Sequence, residues 1–537
     1  MSRKLTIIVL VILMLIAASV RIWGIGWGLP TNDHLSSYSP AENRLFDAAL
    51  SQSLFDSGVE NGGGLFINLF YLKIFGAIML GLVQMTAAGQ FFTAGDLAKI
   101  YLIGRLVVLF FGIATVYLTY LLGKRAYGKN AGICAALLMA VMPLHVMHSK
   151  LIGSNVLAAF FVTAALIFAL RIADGNRLRD YLLAGLFAGL AAGTQYFTLL
   201  VLISPLIAHM ASHKARPILR IISPKLLAVL PMAALGIFIG NPTLNFSKYS
   251  LCFTEGILGP LAGIMHSRLA DFAYPFTHSL PFGVGFPFLV LAVIGLIYAL
   301  VRRTPSDRVM AGFVILYLAF LVLVRSELAG QLIPILPVLA ILASRFGTDV
   351  TEGLVCKGTC SKVTGAVVVL VLTGIFFVTL EYSFSIDYSL ALPDTRDRAL
   401  AWMKANIPEG SSIGVPIMDF TGAPPLGANV RYTGKSQDIL DAKDELNYDL
   451  LVKPEVDWDV HYLQQTTPDY VMVFRGGASN SRRSARPYLN VLNDDYMLSG
   501  EFKENRLRYS WLLPMGTPPS DMSFIDPMIL IYSRKVE

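Results

Sequence analysis

Charged residues are scarce in this chain of 537 residues, where Asp, Glu, Lys and Arg together make up 15%. Average soluble domains carry roughly 25%. Hydrophobic residues reach 55%. A soluble fold of this length could not cover its surface with so few charges, which excludes a soluble multidomain enzyme. The same apolar content excludes a disordered chain.

Cysteine is also rare, with four residues at positions 134, 252, 356 and 360. None lies beyond residue 386, so the tail is not a disulfide scaffold. Cys356 and Cys360 have no further cysteine or histidine near them in the sequence. Because structural metal sites need about four ligands, we expect no metal site. We also predict no cofactor.

The charges that are present are unevenly distributed. From Asp387 to the last residue there are 21 acidic and 16 basic residues, whereas the preceding part holds 27 basic and 15 acidic ones. A basic apolar part followed by an acidic tail is typical of membrane topology, and it does not indicate a nucleic-acid partner.

Long apolar runs predict about eleven transmembrane helices. They lie near residues 5–27, 98–122, 131–148, 154–171, 180–195, 196–212, 223–240, 284–301, 308–325, 328–344 and 365–386. Basic residues cluster in alternate connections, and such loops lie in the cytoplasm by the positive-inside rule. We therefore predict a cytoplasmic N-terminus, an uncleaved first helix as anchor, and a C-terminus outside the cytoplasmic membrane.

One apolar segment, Leu65–Met85, would reverse this topology if it crossed the membrane. We predict that it lies in, or re-enters, the outer face. The large outer connections are then residues 28–97 and 241–283. Residues 1–386 are predicted to form the transmembrane domain, and residues 387–537 an extracytoplasmic soluble domain.

The tail has the pattern of an α/β domain. Residues 399–406 have helical periodicity after Asp394 and Thr395, which are capping residues. Apolar segments at 412–417, 470–474 and 528–532 predict buried strands. Asp457-Trp458-Asp459 has the spacing of a nucleotide-sugar metal motif, but we interpret it as a solvated acidic turn.

Polar residues near the membrane supply the candidate site, because charge there is costly unless it faces water, a partner or a substrate. The first outer loop holds Asp33, Glu42, Asn43 and Arg44. Pro40 is expected to start a helix, with Glu42 in its first turn. We expect Glu42 to lie in a solvated loop, so that its loss would leave folding intact.

Further candidates lie at the turns between spans. His145 and His148, at positions i and i+3, follow span 3, and they are interpreted as interfacial hydrogen-bonding groups or, alternatively, as a metal pair. Gln195 and Tyr196 occupy the turn after span 5. Arg105 lies within span 2, so it should pair with a partner or face a cavity.

The order and placement of these landmarks carry a resemblance to one family. The matching stretches are Gly28-Leu29-Pro30, Ser39-Pro40-Ala41-Glu42-Asn43-Arg44, Gly63-Gly64-Leu65-Phe66-Ile67, Gly104-Arg105-Leu106, residues 120–125, 143–149 and 192–196, and Pro334-Ile335-Leu336-Pro337. The chain resembles the polyprenyl-phosphate-sugar-dependent membrane glycosyltransferases, which include protein O-mannosyltransferases and the lipid A aminoarabinose transferase.

The resemblance implies a polytopic α-helical membrane protein of the GT-C-like class with a C-terminal soluble α/β domain. It also implies transfer of a sugar from a polyprenyl-phosphate donor to a protein, lipid or glycan acceptor, among membrane lipids. An acidic residue of the first outer loop would act as general base, here Glu42 or Asp33. Implied substrate contacts are Asn43, Arg44, Arg105, His145, His148, Asn155, Gln195, Tyr196 and Gln331.

This chain departs from the family pattern at four places. Ala41 stands where the family usually has Asp, Asn155 where it has Asp, Gln195 where it has Lys, and Gly330-Gln331 where it has Arg-Tyr. Losing one member of a buried charge pair strands the other. We therefore hypothesise that the changes at Asn155 and Gln195 are linked. The alternative functions are a catalytically degenerate scaffold or lipid-binding relative, and a transporter.

Overall fold

A computed structural model shows a chain built mainly of α-helices, with a small sheet near its C-terminal end. The structure describes residues 2–50, 92–212, 223–241, 269–355, 359–417, 420–427, 446–453, 456–475, 482–503 and 518–535. The predicted non-crossing segment Leu65–Met85 lies outside these residues, so it stays a prediction.

The helices of the described residues fall into two sets, which divide at residue 392. Those of the apolar part are α1 (Arg3–Ile22), α2 (Pro40–Leu50), α3 (Ala94–Tyr127), α4 (Lys129–Ala140), α5 (Pro143–His148), α6 (Asn155–Gly175), α7 (Leu178–Thr194), α8 (Ile203–Ser212), α9 (Pro224–Leu227), α10 (Val229–Gly240), α11 (Leu269–Tyr274), α12 (Leu280–Val284), α13 (Phe286–Arg302), α14 (Pro305–Leu323), α15 (Leu336–Val355) and α16 (Thr359–Ala391). Those of the C-terminal region, residues 392–535, are α17 (Thr395–Asn406), α18 (Val460–Thr466), α19 (Arg482–Asp495) and α20 (Ser520–Ser523). Short 3₁₀ segments run over Tyr196–Leu202 and Ala329–Ile335.

The multi-pass membrane architecture predicted from hydropathy is confirmed, and each predicted run coincides with helical segments. Among the described residues, six helices are long and apolar enough to cross a membrane, or seven if one bent pair counts as a single span. The number eleven stays a prediction. Helices such as α4, with 12 residues, fall short of the ~20 residues that a straight span requires.

The bent pair lies next to the predicted connection 241–283. The helical stretch 272–284 and α13 meet at an angle of 116°. Gly285, between them, has a φ of +80°. Glycine adopts this left-handed backbone without steric cost, so the chain can turn sharply within a single residue.

Glycines allow α7 and α10 to pack at backbone distance. Gly185, Gly189 and Gly193 recur every fourth residue and therefore lie on one face of α7. A Cβ atom at Gly189 would lie 2.1 Å from the carbonyl oxygen of Ala233 on α10. Small residues at this spacing are a usual device for packing membrane helices.

The C-terminal region contains one five-stranded mixed sheet. Its strands are β1 (Ser412–Gly414), β2 (Asp449–Leu451), β3 (Tyr470–Arg475), β4 (Tyr496–Phe502) and β5 (Met528–Arg534). Their order is β2-β1-β3-β5-β4. The pairs of β1 with β2 and with β3 are parallel, whereas β5 runs antiparallel to β3 and β4. The three predicted strands and the predicted α/β character are thus confirmed.

The start of the tail differs from the sequence interpretation at one helix end, and two of its helices have aspartate caps. Helix α16 runs past the predicted boundary at 386/387 and ends at Ala391. The Asp394 side chain caps α17, as predicted, by accepting a hydrogen bond from the Arg396 N–H at 2.9 Å. Asp459 caps α18 and accepts a hydrogen bond from Lys453 at 2.6 Å. The hydrogen bonds from Lys453 and from the Tyr462 N–H lower the pKa of Asp459.

Candidate functional site

Glu42 lies in the first turn of α2, which begins at Pro40 as the sequence predicts. Its carboxylate has no exposed surface and accepts four hydrogen bonds. Oε1 accepts from Arg105 Nε at 2.9 Å and from the Ile152 N–H at 2.7 Å. Oε2 accepts from Arg105 Nη2 at 2.6 Å and from Ser37 Oγ at 2.5 Å.

Arg105 is the charge inside span 2 for which the sequence predicts a partner, and Glu42 is that partner. Its guanidinium is fully buried. Besides the two bonds to Glu42, Nη1 donates to the carbonyl oxygens of Ile25 and Trp27, each at 2.7 Å. Nη2 also lies 3.3 Å from Ser37 Oγ. All five guanidinium N–H groups therefore have partners within the chain.

This geometry corrects the expectation that Glu42 lies in a solvated loop. The loop folds inward because the buried guanidinium of α3 requires an anion beside it. The carboxylate in turn uses its four main acceptor positions. The arrangement ties the start of α2, the middle of α3 and the segment before α6 into one buried unit. The Glu42 and Arg105 side chains thus pair with each other and do not face solvent.

The other predicted residues of this loop take different roles. Asn43 is buried, and its side chain bonds the Ser37 backbone and the Tyr101 hydroxyl, the latter at 2.9 Å. Arg44 is exposed. Asp33 is half exposed and pairs with Lys404 of α17 at 2.6 Å. Asn43 therefore shapes the loop, and Asp33 lies where the loop meets the C-terminal region.

The C-terminal region contacts the first loop through buried charged and aromatic groups. Trp27 donates to Asp394 Oδ2 at 3.0 Å, and Asp394 pairs with Arg396 at 2.7 Å. The Arg396 guanidinium lies 3.9 Å from the centre of the Tyr38 ring, on which His34 stacks from 4.3 Å. Burial lowers the pKa of His34. These contacts fix the C-terminal region against the start of the membrane part.

A second group of polar residues brings together His148, Asn155, Gln195, Gly330 and Asp521, and we call it the polar cluster. Gln195 Nε2 donates to Asn155 Oδ1 at 2.6 Å. These are two of the positions where the family pattern carries opposite charges. The hydrogen bond between the neutral side chains supports the hypothesis that the two replacements are linked.

Gly330 lies at the centre of the polar cluster. A Cβ atom there would lie 2.5 Å from Asn155 Nδ2, 2.9 Å from His148 Cε1 and 3.1 Å from Asp521 Oδ2. No side chain fits without moving these groups. The glycine that replaces the family arginine is therefore a condition for this arrangement of the cluster.

Asp521 is the member that the sequence reasoning missed. It lies on the short helix α20 of the C-terminal region and accepts hydrogen bonds from the N–H groups of Ala329 and Gly330, at 3.0 and 2.6 Å. His148 Nε2 lies 4.0 Å from its Oδ2. Nothing in the sequence around Asp521 marks it, because its contacts are almost 200 residues away in the chain.

The remaining predicted residues lie outside the polar cluster. His145 is fully buried and contacts Arg21 Nη2 at 2.9 Å, so it does not share partners with His148. The Gln331 side chain accepts from Ser326 Oγ at 2.6 Å. The Tyr196 ring packs edge-on against Phe197. Among the described residues, no group of three or more His, Cys, Asp or Glu could hold a metal ion.

The architecture and the buried polar groups define a multi-pass membrane protein whose C-terminal region contacts the first loop and the segment Ala329–Ile335. Residues 100–239 match the family model of the dolichyl-phosphate-mannose-protein mannosyltransferases. This match confirms the resemblance to the polyprenyl-phosphate-sugar-dependent glycosyltransferases, and it covers Arg105, His148, Asn155 and Gln195. No curated protein matches the chain.

Two solved structures are among those to which the chain is similar. The archaeal oligosaccharyltransferase AglB from Archaeoglobus fulgidus, in complex with an inhibitory peptide and a dolichol-phosphate, is 12% identical with a TM-score of 0.49, over 95% of this chain and 75% of that one. ArnT from Cupriavidus metallidurans, bound to undecaprenyl phosphate, is 12% identical with a TM-score of 0.45, over 99% of this chain and 98% of that one.

Proposed function

We propose that the protein transfers a sugar from a polyprenyl-phosphate-linked donor to a protein, lipid or glycan acceptor at the outer face of the cytoplasmic membrane. The family match over residues 100–239 supports transfer from a lipid-linked sugar. The main structural observation in support of the proposal is the polar cluster, which we propose as the location of the site. It joins three separate turns of the membrane part to the C-terminal region.

The proposed reaction is a general-base-assisted displacement. The acceptor hydroxyl loses its proton to a base while its oxygen bonds to the anomeric carbon. The bond from that carbon to the phosphate oxygen breaks, and the polyprenyl phosphate leaves with the electron pair. A base within hydrogen-bond reach of the hydroxyl is the main requirement. Donors near the departing phosphate stabilise its charge.

A second candidate function is a non-catalytic, lipid-binding relative. One observation favours it: Glu42, the acid predicted as base, is fully buried and already accepts four hydrogen bonds. Under this alternative the chain would bind polyprenyl phosphate without turning over a donor.

Turnover tests the proposal against this alternative. Full-length protein in detergent is supplied with polyprenyl-phosphate sugars and mixed acceptors, and release of polyprenyl phosphate is measured. We expect release by the wild type and a loss of at least tenfold in Gly330→Ala, because the added Cβ would lie 2.5 Å from Asn155 Nδ2. Binding of the donor without release would favour the non-catalytic alternative.

Gly374→Ala is the matched control for this test. A Cβ at Gly374 meets no atom within 4 Å. The same substitution there should leave turnover unchanged. Equal turnover in Gly330→Ala and wild type would show that the polar cluster is not part of the site.

Labelling with an impermeant thiol reagent tests the proposed orientation. In a variant without the four native cysteines, a cysteine at Ser479, outside the described residues, should react in intact cells. A cysteine at Arg177, in a predicted cytoplasmic loop, should react only after permeabilisation. The positive-inside pattern is the physical reason for this expectation. The opposite pattern would place the C-terminal region in the cytoplasm and contradict an outer-face site.

A further inference from the structure

The Glu42 and Asp521 carboxylates differ in how many hydrogen bonds they can still accept. A general base needs a free lone pair that a substrate hydroxyl can reach. Glu42 has no exposed surface and accepts four hydrogen bonds. The Asp521 side chain is 18% exposed and accepts one backbone N–H on each oxygen, so each oxygen keeps a lone pair.

We infer that Asp521 is the general base of the proposed transfer, so that the C-terminal region supplies a catalytic residue to a site otherwise built by the membrane part. This assignment rests on the proposed function. The two backbone N–H groups hold the carboxylate in one orientation. They come from the segment Ala329–Ile335 directly before α15, so the carboxylate is anchored to the membrane helices as well as to its own domain.

Two buried polar atoms of the polar cluster point independently to a ligand. Gln195 is 5% exposed, and its Oε1 has no hydrogen-bond partner among the described residues. His148 Nε2 is likewise buried and without such a partner, 4.0 Å from Asp521 Oδ2. A buried polar atom without a partner destabilises the folded state, so such atoms are rare unless a ligand or water satisfies them. Hydroxyl groups of a sugar or an acceptor could satisfy both atoms.

The chemical step balances with this one residue. Asp521 takes the proton of the acceptor hydroxyl as that oxygen bonds to the anomeric carbon. The bond to the phosphate oxygen breaks at the same time, and the electron pair leaves with the polyprenyl phosphate. The proton on Asp521 then passes to water through the exposed part of the carboxyl group.

The test compares Asp521→Asn, Asp521→Glu and wild type in the polyprenyl-phosphate release assay. Asn keeps an oxygen that can accept a backbone N–H, but it cannot take the proton. We expect kcat to fall roughly 10²–10⁴-fold, the usual contribution of a general base. We expect the KM for the donor to stay within about twofold, because no donor contact is removed. Asp521→Glu should keep part of the rate.

Glu501→Gln is the matched control, because Glu501 belongs to the same region and pairs at the surface with Lys503. It should turn over like the wild type. Wild-type kcat should fall in acid as the base takes up a proton, and the residual rate of Asp521→Asn should lack this fall. Residual activity that keeps the acid fall would make Asp521 a positioning residue and overturn the assignment.

The outcomes separate this assignment from the proposed function. Wild-type turnover with an undiminished Asp521→Asn would overturn the assignment alone. Absence of turnover in the wild type would overturn the proposed function and the assignment with it. If Asp521→Asn does not fold, Asp521→Glu decides, since a carboxylate displaced by one methylene should lower kcat at least tenfold. Unchanged kcat in that variant would overturn the assignment.

Discussion

Glu42→Gln is expected to lower the free energy of unfolding by about 3–5 kcal/mol, the usual cost of breaking a buried ion pair from one side. The variant leaves the guanidinium of Arg105 buried without its anion. It also turns one acceptor oxygen into an NH₂ group, which would face two of the donors that now bind the carboxylate. Thermal and denaturant unfolding of the full chain in detergent measure the change.

Two further variants test whether the unpaired charge of Arg105 causes the loss of stability in Glu42→Gln. Glu352→Gln is the control, because Glu352 is an exposed residue that accepts a hydrogen bond from Asn130 at 3.1 Å. Its stability should change by less than about 0.5 kcal/mol. Glu42→Gln combined with Arg105→Met should regain part of the loss, because no unpaired charge remains. A Glu42→Gln protein that is as stable as wild type but inactive would instead restore Glu42 as the base.

Hydropathy predicted the helices well because the constraint is local. Each apolar run has to satisfy its backbone groups within itself, so its position can be read from the sequence. The strands at Tyr470–Arg475 and Met528–Arg534 were predictable for a different local reason, because each is a short apolar run with strand propensity, although its hydrogen-bond partners lie far away in the chain. The end of α16 was not, because the helix continues past Asp387, whose charge is neutralised by Lys150 far away in the chain.

The site was predictable only in part. The sequence identified Arg105 as a residue that must be paired, but the partner depends on how the first loop folds. Asp521 and the N–H groups of Ala329 and Gly330 meet only in three dimensions. The departures at Asn155, Gln195 and Gly330 were visible one by one, and the structure shows that they lie together.

Because Asn155, Gln195 and Gly330 lie together, their departures from the family pattern have one physical explanation. A membrane site with Asp at 155 and Lys at 195 would hold a charged pair where this chain has an amide–amide hydrogen bond of 2.6 Å. Gly330 leaves room for Asp521 to reach the same place from the C-terminal region. Under the proposed function, an acid is thus supplied by a different segment of the chain.

Lys150→Met is the second substitution for which we expect a large loss, again about 3–5 kcal/mol of unfolding free energy. Lys150 donates to Asp387 and to the carbonyl oxygen of Trp23, and both charged side chains are almost fully buried. The Lys150 ammonium binds Asp387 Oδ1, and Asp387 Oδ2 has no hydrogen-bond partner among the described residues. Removing the ammonium therefore leaves a buried carboxylate near the end of α16.

Exposed and buried lysines provide the matched comparison for this prediction. Lys99 pairs with Asp96 at 3.1 Å, but its side chain is 60% exposed. Because water solvates such a pair, Lys99→Met should cost at most about 1 kcal/mol. Lys150→Met combined with Asp387→Leu should recover most of the stability, since apolar groups can replace a buried pair without penalty.

Hydrogen exchange should show where the Lys150→Met variant becomes less stable. We expect faster exchange at the end of α16 and at Trp27 and Asp394, which hold the C-terminal region. Equal stability of Lys150→Met and Lys99→Met would mean that the buried pair contributes nothing to holding α16 and the C-terminal region in place.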